Sequence, residues 1–444
     1  MSSVELVTTG SELLSGRTVN THAQTLAEKL RPFGLKLVRD TTVSDDLTAI
    51  AEAVRGALSR VDLVFVSGGL GGTSDDITRE ALAQIVGGQL VLYPEALASL
   101  EQRYAKMGRP VTDVARRQVL ILERSEGLLN PVGIAPGMMI QVPSALVGGT
   151  SRSREREQEL PPTNPKTLFV LPGPPREFVG VLETGVLPRL GKLGLPVCQA
   201  LENLWECTGL GETEIAERLE KIGLPTPEIE VGYCAAMGQI EVRLAAAPEH
   251  AALLAEKTAA VRAALGAAIY AETRIGLEEA VGRLLATQKK TVAVAESCTG
   301  GLIGHRLTTV AGSSAYFLGG VICYSNESKV RDLAVPRELI ERHGAVSEEV
   351  ARAMAEGVRA RFGSDCGVAV TGIAGPDGGT AAKPVGTVWI AVADAAGTAA
   401  RLRCFPTTRE HVKLWSSQQA LDLLRRRLQG GAPDTPRAPG LPGW

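Results

Sequence analysis

The sequence lacks the features that mark several large classes of protein. Only 4% of its 444 residues are aromatic, and 47 basic side chains nearly balance 49 acidic ones. This balance leaves no basic surplus of the kind that attracts nucleic acid or anionic membranes. There is no run of about 18 apolar residues, so we expect no transmembrane helix. The first residues include Glu5 and no basic region, which is atypical of a signal peptide.

Cysteine is scattered along the chain, and no two cysteines form a C-x-x-C pair. An odd number in mostly apolar, strand-like segments predicts reduced, buried thiols of a cytoplasmic protein, not a disulfide or zinc framework. Cys298 is the exception, because a thiol in a turn before a helix can have a lowered pKa and be reactive. The seven cysteines are Cys198, Cys207, Cys234, Cys298, Cys323, Cys366 and Cys404.

The chain is too long for one ordinary domain, so we expect two or three. In the first half, apolar strand-like segments alternate with amphipathic helical ones, which predicts βαβ units and a parallel sheet. A helix is predicted over 103–122, and the polar segment 143–166 is predicted to be an inserted surface loop. The expected strands are 4–8, 35–38, 61–66 and 167–171, with helices over 18–30, 45–58 and 77–86.

The segment SGGLGGTSDD (67–76) follows the clearest strand of this half. Ligands of open α/β sheets bind at the carboxyl ends of strands. Glycines there let the backbone approach a phosphate, and Thr73 and Ser74 can donate hydrogen bonds. Asp75 and Asp76 are candidates to hold a divalent cation, which prefers carboxylate oxygens. The alternative is that these two aspartates only cap the following helix.

The second half contains a strand over 291–295, a turn of small residues over 297–301, and a helix that begins at Leu302. Such a turn offers backbone N–H groups and the positive end of a helix dipole, so it predicts a phosphate or carboxylate site. Ser297 and Thr299 add hydroxyl groups. The loop over 371–379 is a second turn of this kind at a strand end.

Downstream of this turn lie Ser314, Tyr324 and Lys329. A desolvated lysine can activate a serine nucleophile in place of histidine. We therefore predict Ser314 as a nucleophile, Lys329 as its base and Tyr324 as a proton relay. The alternative nucleophiles are Ser313, Ser297 and Cys298. In the structural alternative, Ser313 and Ser314 cap a helix near Ala315, and Lys329 is solvated.

The motifs AESCTGG, VAGSSAYFLGGVICYSNESK, HGAVSEE, VTGIAGPDGGT and KPVGTVWIA occur in order between residues 295 and 391. Together they resemble the C-terminal domain of the CinA (competence/damage-inducible) family, a nicotinamide mononucleotide amidohydrolase. The resemblance implies catalytic roles for Ser314, Tyr324, Lys329 and Thr371. It implies substrate binding by Ser297, Thr299, Gly300, Gly301, Ser313, Gly372 and Arg409.

The motifs TTGSELLSG, TVSDD, VSGGLGGTSDDITREAL, NPVGIAPGM and LPGPPREF resemble the MoaB/MogA-like N-terminal domain of the same family. In some members this domain cleaves ADP-ribose at the pyrophosphate with a metal ion. Gly72 stands where the family usually has proline, and Ile134 where threonine is usual. The implied site residues are Gly10, Glu12, Ser67, Gly68, Gly69, Thr73, Asp75, Asp76, Gly173 and Pro174, with Asp75 and Asp76 as metal ligands.

The implied fold class is α/β in three parts. A doubly wound domain over 1–190 precedes a small α+β domain over 196–272, an amidohydrolase domain over 276–429 and a disordered tail over 430–444. The small domain is expected to be a spacer or an oligomerisation element. We expect a homodimer that acts on pyridine nucleotides and ADP-ribose, with no cofactor for the amidase and a divalent metal for the N-terminal domain. The alternatives are an amidase with a non-catalytic nucleotide- or pterin-binding N-terminal domain, or an adaptor in competence or DNA-damage responses.

Overall fold

The computed structural model describes residues 2–143, 166–191, 193, 201–236 and 238–431. Most of the expected surface insert, the tail from residue 432 onward and Cys198 lie outside the described residues. The chain divides into two compact units, residues 1–200 and residues 201–444.

The first unit is built around a six-stranded sheet. The strands of this unit are β1 (Ser2–Thr9), β2 (Leu35–Val43), β3 (Leu63–Ser67), β4 (Leu90–Leu92), β5 (Leu120–Leu122), β6 (Glu126–Leu128), β7 (Gly137–Val142) and β8 (Lys166–Leu171). Strands β4 and β5 form a separate two-stranded sheet. The sheet order is β2-β1-β3-β8-β7-β6. The strands β2, β1, β3 and β8 run parallel, whereas β7 and β6 are antiparallel to their neighbours.

Helices cover both faces of this sheet, as the strand–helix alternation predicts. They are α1 (Ser11–Leu14), α2 (His22–Leu30), α3 (Leu47–Arg60), α4 (Thr78–Val86), α5 (Pro94–Lys106), α6 (Asp113–Arg117), α7 (Pro175–Val181) and α8 (Leu187–Leu190). Helices α3 and α4 pack on one face, and α2 and α7 on the other. Every residue of β3 is buried, which explains why its first four residues are all apolar.

The predicted helix over 103–122 is wrong. Helix α5 ends at Lys106, a short helix α6 follows, and Leu120–Leu122 is a strand paired with β4. Gly108 adopts a left-handed φ of 64°, which ends the helical path, and Pro110 follows it.

The second unit begins with a four-stranded antiparallel sheet of order β10-β11-β9-β12. Trp205, Val242 and Leu244 point from this sheet into a core that Leu219 and Val261 complete. The elements are β9 (Leu201–Thr208), α9 (Glu212–Glu220), β10 (Ile229–Ala236), β11 (Gln239–Ala246), α10 (Ala251–Leu265) and β12 (Ile269–Ala271).

The rest of the second unit is a five-stranded sheet between two helical layers. Its elements are α11 (Leu277–Gln288), β13 (Val292–Glu296), α12 (Leu302–Thr308), β14 (Phe317–Ile322), α13 (Asn326–Leu333), α14 (Arg337–His343), α15 (Glu348–Phe362), β15 (Cys366–Gly372), β16 (Thr387–Asp394), β17 (Gly397–Cys404) and α16 (Arg409–Leu428). The order is β14-β13-β15-β16-β17, and the first three strands are parallel.

The alternation of valine and alanine in β13 matches these two layers. Val292 and Val294 face the core formed with α11, α12 and α16. Ala293 and Ala295 face α15 on the other side. Because successive side chains of a strand point to opposite faces, this pattern allows α15 to approach the sheet closely.

Helix α16 also connects the two parts of the second unit. The buried Asp422 carboxylate pairs with Arg425 (2.6 Å) and Arg426 (2.8 Å). The Arg425 guanidinium also donates to the carbonyl of Ala267 (2.7 Å), which belongs to the antiparallel part.

The helices and sheets of the two units confirm the expected α/β fold class with a small α+β part.

Candidate functional site

The carboxyl ends of three parallel strands meet at one edge of the second unit's five-stranded sheet. The N–H of Ser297 donates to the carbonyl of Val370 (3.0 Å), and the N–H of Cys323 donates to that of Glu296 (2.9 Å). This register places Ser297, Cys323 and Thr371 side by side, where ligands of open α/β sheets bind.

Lys329 points its ammonium group at this edge. It lies on α13, which is capped by the Ser325 hydroxyl accepting from the N–H of Ser328 (3.1 Å). The Lys329 Nζ donates to Ser297 Oγ (3.1 Å) and to the Cys323 carbonyl (2.8 Å). Its side chain is 1% exposed. Burial lowers the pKa of Lys329, and the neighbouring Cys323 and Cys298 thiols act in the opposite direction.

Ser314 lies at the amino end of β14, whereas Lys329 lies beyond its carboxyl end. It forms part of a short 3₁₀ turn, Ser313–Ala315, which immediately precedes β14. The carbonyl of Tyr316 accepts from the N–H of Val292 at the start of β13. The six residues of β14 therefore separate Ser314 from Lys329 by roughly 20 Å of strand. The structure does not bring Ser314 or Ser313 to Lys329; among the alternative nucleophiles, it brings Ser297.

The helix that follows the Ser297 turn has a carboxylate of the chain at its N-terminus. The buried Glu296 carboxylate accepts from the N–H groups of Gly301 (2.9 Å), Ile303 (3.1 Å) and Gly304 (2.9 Å). These are the N–H groups that the sequence predicts for a phosphate. Because a carboxylate of the chain accepts from these three N–H groups, they are already engaged, and phosphate binding by this turn stays a prediction.

The Tyr324 hydroxyl contacts Arg409 and not Lys329. Arg409 Nη2 donates to Tyr324 Oη (2.8 Å), and Arg409 Nη1 donates to the carbonyl of Gly375 (2.7 Å). Tyr324 is 61% exposed. The predicted relay from Tyr324 to Lys329 is therefore not formed, and Arg409 instead connects the end of β14 with the loop after β15.

Two of the other predicted residues of this site, Thr371 and Gly372, are the last residues of β15. The Thr371 hydroxyl donates to the carbonyl of Ala345 (2.8 Å) and so holds a neighbouring loop. A side chain at Gly372 would meet the Cys298 sulfur at 3.1 Å, so Gly372 lies against the turn.

The remaining predicted residues lie in the turn itself. Burial raises the pKa of Cys298 to about 12, which makes this thiol a poor nucleophile. Thr299 has a buried hydroxyl with no partner among the described residues. Gly300 and Gly301 have φ of 64° and 98°, which favour glycine.

The first unit contains a cavity of about 820 Å³ beside the carboxyl ends of β1 and β3. Gly68 and Gly69 have φ of 105° and 64°, and these left-handed conformations bring the glycine-rich loop to the cavity wall. The structure brings all of the predicted N-terminal residues to this cavity: Gly10, Glu12, Ser67, Gly68, Gly69, Thr73, Asp75, Asp76, Gly173 and Pro174.

Asp76 uses its carboxylate within the glycine-rich loop. It accepts from the N–H of Gly71 (2.8 Å), the N–H of Thr73 (2.9 Å) and the Thr73 hydroxyl (2.5 Å). In the described ranges, no group of three or more His, Cys, Asp or Glu side chains is arranged to hold a metal ion. Asp76 thus fits a role in shaping the loop better than the predicted role of metal ligand.

His22 is a cavity residue that sequence reasoning missed. Its Nδ1 lies 2.9 Å from Ser67 Oγ, and its ring stacks on Phe178 with 4.3 Å between centroids. Burial lowers the pKa of His22, and a hydrogen bond to the backbone of Gly173 acts in the opposite direction. No sequence signal marks His22, because it reads as an ordinary residue of an amphipathic helix.

The two departures from the family pattern both line this cavity. A Cβ at Gly72 would collide with the carbonyl oxygen of Val114 on α6. Glycine at this position therefore lets α6 pack against the loop. Ile134 packs beside α5 with Tyr93 and Leu97.

Three family models match successive parts of the chain. The probable molybdopterin binding domain matches residues 5–192, the damage-inducible protein CinA KH domain residues 204–271, and the CinA C-terminal domain residues 274–428. The fold and these matches define a three-part α/β protein with a MoaB/MogA-like first domain.

Full-length relatives identify the family. A CinA-like protein of Solibacter usitatus is 38% identical over 431 residues, which cover 96% of this chain and 98% of the relative. A putative competence-damage inducible protein of Symbiobacterium thermophilum is 40% identical over 441 residues, covering 96% and 99%. The chain belongs to the CinA family.

Solved structures resemble the chain over about a third of its length. The competence/damage inducible protein CihA of Agrobacterium tumefaciens is 38% identical, with a TM-score of 0.33, and covers 36% of this chain and 99% of its own. A competence damage-inducible protein A of Klebsiella pneumoniae is 36% identical, with a TM-score of 0.34 and coverage of 34% and 95%.

The match to a KH domain adds information about the middle part. KH domains clamp nucleic acid through a G-x-x-G loop. Residues 204–271 contain no G-x-x-G sequence.

None of the helices in the described ranges combines the length and apolar character that crossing a membrane requires.

Proposed function

We propose that the C-terminal part of this chain hydrolyses the carboxamide of nicotinamide mononucleotide to nicotinic acid mononucleotide and ammonia. The nucleophile is Ser297, and Lys329 is its general base. The observation that carries this proposal is the buried Lys329 amine 3.1 Å from the Ser297 hydroxyl. Family membership supports the reaction class, and the contact between Lys329 and Ser297 supports the choice of residues.

Acylation begins when Ser297 Oγ attacks the carboxamide carbon and its proton passes to neutral Lys329 Nζ. The new C–O bond produces a tetrahedral oxyanion. As the C–N bond breaks, Lys329 returns the proton to the leaving nitrogen, which departs as ammonia. The lowered pKa of Lys329 supports the neutral form that this step requires.

Deacylation repeats the same proton transfers with water. Water attacks the ester carbon and gives a proton to Lys329 Nζ, and the bond to Ser297 Oγ then breaks as Lys329 returns that proton to Ser297. The product carboxyl group loses its own proton to solvent. The scheme uses only side chains of the chain and one water molecule.

Thr299 is the residue to which we assign stabilisation of the oxyanion. It lies two residues after Ser297, and its buried hydroxyl has no partner among the described residues. A donor aimed at developing negative charge in a water-poor site strongly lowers the barrier. Thr371 does not share this role, because its hydroxyl is engaged by Ala345.

The test is ammonia release from nicotinamide mononucleotide by wild-type chain and by Lys329→Met. We expect release by the wild type and its loss in the variant, since methionine keeps the buried volume without a base. Equal rates for the two proteins would overturn the role of Lys329. No release by the wild type would overturn the proposed activity.

For the first unit we propose a binding site for a phosphate-bearing nucleotide or pterin, with metal-dependent ADP-ribose cleavage as the alternative. The engagement of Asp76 with Gly71 and Thr73 favours the first. Both compounds carry phosphate, which suits the glycine-rich loop. If a metal acts here, the carboxylates that the cavity lining offers are those of Glu12, Asp45, Asp75, Asp76 and Glu177.

The experiment that separates the two measures AMP release from ADP-ribose with Mg²⁺ and with a chelator. The proposal predicts that calorimetry detects binding of ADP-ribose and that no metal-dependent release of AMP occurs. Release that stops with the chelator and in Asp75→Asn would establish the alternative.

A further inference from the structure

Two glycine-containing loops form adjacent parts of the wall of the first unit's cavity. One follows β3 and includes Gly68, and the other follows β8 and includes Gly173. The N–H of Gly68 donates to the carbonyl of Leu171 (3.1 Å), and a side chain at Gly173 would meet the Gly68 Cα at 3.4 Å. The two backbones are therefore in contact, and a movement of either loop changes the wall that both form.

His22 connects the two loops from the first turn of α2. Its Nδ1 lies 2.9 Å from Oγ of Ser67, the residue before Gly68, and its ring forms a hydrogen bond to the backbone of Gly173. The ring also stacks on Phe178 of α7 with 4.3 Å between centroids. One side chain thus contacts the end of β3, the loop after β8 and α7.

The hydrogen bonds of this ring suit its neutral form. A neutral imidazole has one N–H donor and one nitrogen that accepts, whereas the protonated ring has two donors. We assign the N–H to the Gly173 backbone, because that hydrogen bond raises the pKa of His22 and so has the ring as its donor. Nδ1 then accepts from the Ser67 hydroxyl. On protonation Ser67 would have to donate instead to the carbonyl of Pro172, a longer contact of 3.3 Å.

A positive charge on His22 would also be poorly compensated. The residue is 7% exposed, and burial is the largest cause of its lowered pKa. No charged side chain, including the carboxylates that line the cavity, is among the causes of this shift. The charged residues of the elements packed around the start of α2 are Glu28 and Lys29 of α2, Glu5 of β1, Lys36, Arg39 and Asp40 of β2, Lys166 of β8, and Arg176 and Glu177 of α7.

We propose that neutral His22 is a positioning residue of this cavity, which holds the loops after β3 and β8 together, and that ligand binding weakens when its ring is protonated. This inference rests on the proposed ligand site of the first unit. Ser67 acts through its bond with His22 and not as a nucleophile, because its side chain is fully buried. The cavity wall therefore contains a contact that responds to pH through a histidine.

The test measures ADP-ribose binding by calorimetry at about pH 8 and about pH 5 with wild type and His22→Gln. Glutamine offers both an acceptor and a donor but takes up no proton in this range. We expect the wild-type Kd to rise by roughly three- to tenfold as pH falls through the lowered pKa of His22, because only the neutral fraction binds well. The Kd of His22→Gln should change much less. His250→Gln, which alters a histidine of the second unit, is the matched control and should behave like wild type.

Equal pH dependence of wild type and His22→Gln would overturn the inference. If the wild type binds no ADP-ribose at either pH, the proposed ligand site fails. In that case, or if His22→Gln does not fold, hydrogen exchange of the full-length wild type decides the inference, after correction for the intrinsic effect of pH on exchange. Faster exchange of residues 67–76 at the lower pH, with α3 unchanged, would support it. Unchanged exchange of residues 67–76, or an equal increase in α3, would overturn it.

Discussion

Lys329 and Ser297 are 32 residues apart in the chain, yet the lysine ammonium donates a 3.1 Å hydrogen bond to the serine hydroxyl. Two neighbouring parallel strands produce this contact, because β13 ends immediately before Ser297 and β14 leads into the helix that carries Lys329. Burial of the amine and its bond to the Cys323 carbonyl then fix its direction. The pair is the basis of the amidase that we propose.

The activity should rise with pH. Burial lowers the pKa of Lys329 from its usual 10.5, so the amine loses its proton and becomes a base at a lower pH than a solvated lysine. We expect kcat/KM to increase as pH rises through this lowered pKa. Lys329→Arg is the control, because arginine stays charged and should be inactive at every pH. A wild-type profile that falls across the same range would contradict the role of Lys329 as base.

Glu296→Gln should destabilise the turn and slow the reaction. The amide has one oxygen acceptor where the carboxylate has two, and its NH₂ group would face backbone N–H donors. We expect a loss of about 1–3 kcal/mol in the free energy of unfolding, measured with denaturant. Glu327→Gln, an exposed residue on α13, should change it little. Equal stability of the two variants would refute this function of Glu296.

Asp422→Ala should destabilise the second unit strongly. The carboxylate is fully buried and pairs with Arg425, itself 1% exposed, and with Arg426. Removing it leaves buried guanidinium charge unpaired, which typically costs about 3–5 kcal/mol. Thermal or denaturant unfolding measures the effect, with Glu256→Ala on the exposed face of α10 as a control. A loss below that of the control would show that the cluster is not structurally important.

Asp76→Asn and Asp75→Asn should differ in ligand binding by the first unit. Asp76 organises the glycine-rich loop through Gly71 and Thr73, whereas Asp75 is exposed. We expect weaker calorimetric binding of ADP-ribose in Asp76→Asn and nearly unchanged binding in Asp75→Asn. The reverse order would show that Asp75, and not the loop shape, recognises the ligand.

Much of the fold follows from local sequence patterns. The alternation of strands and helices in the first half predicts a parallel sheet, and four neighbouring strands of that sheet are parallel. The glycine-rich loop at 67–76 follows one of these strands and lines a cavity. The helix over 103–122 fails because Gly108 and Pro110 interrupt a sequence whose other residues favour helix.

The proposed catalytic pair of Ser297 and Lys329 is harder to predict, since Ser314 lies closer to Lys329 in sequence than Ser297 does. Sequence distance misleads here because a whole strand runs between Ser314 and Lys329. Only the register of β13 with β14 shows that Ser297 is the neighbour in space. The capping role of Glu296 likewise depends on a side-chain direction that no local pattern specifies.

The most direct test compares Ser297→Ala with Ser314→Ala in the release of ammonia from nicotinamide mononucleotide. We expect Ser297→Ala to lose the activity and Ser314→Ala to retain the wild-type rate, because only Ser297 contacts Lys329. Activity that survives in Ser297→Ala, or disappears in Ser314→Ala alone, would contradict the assignment of the nucleophile.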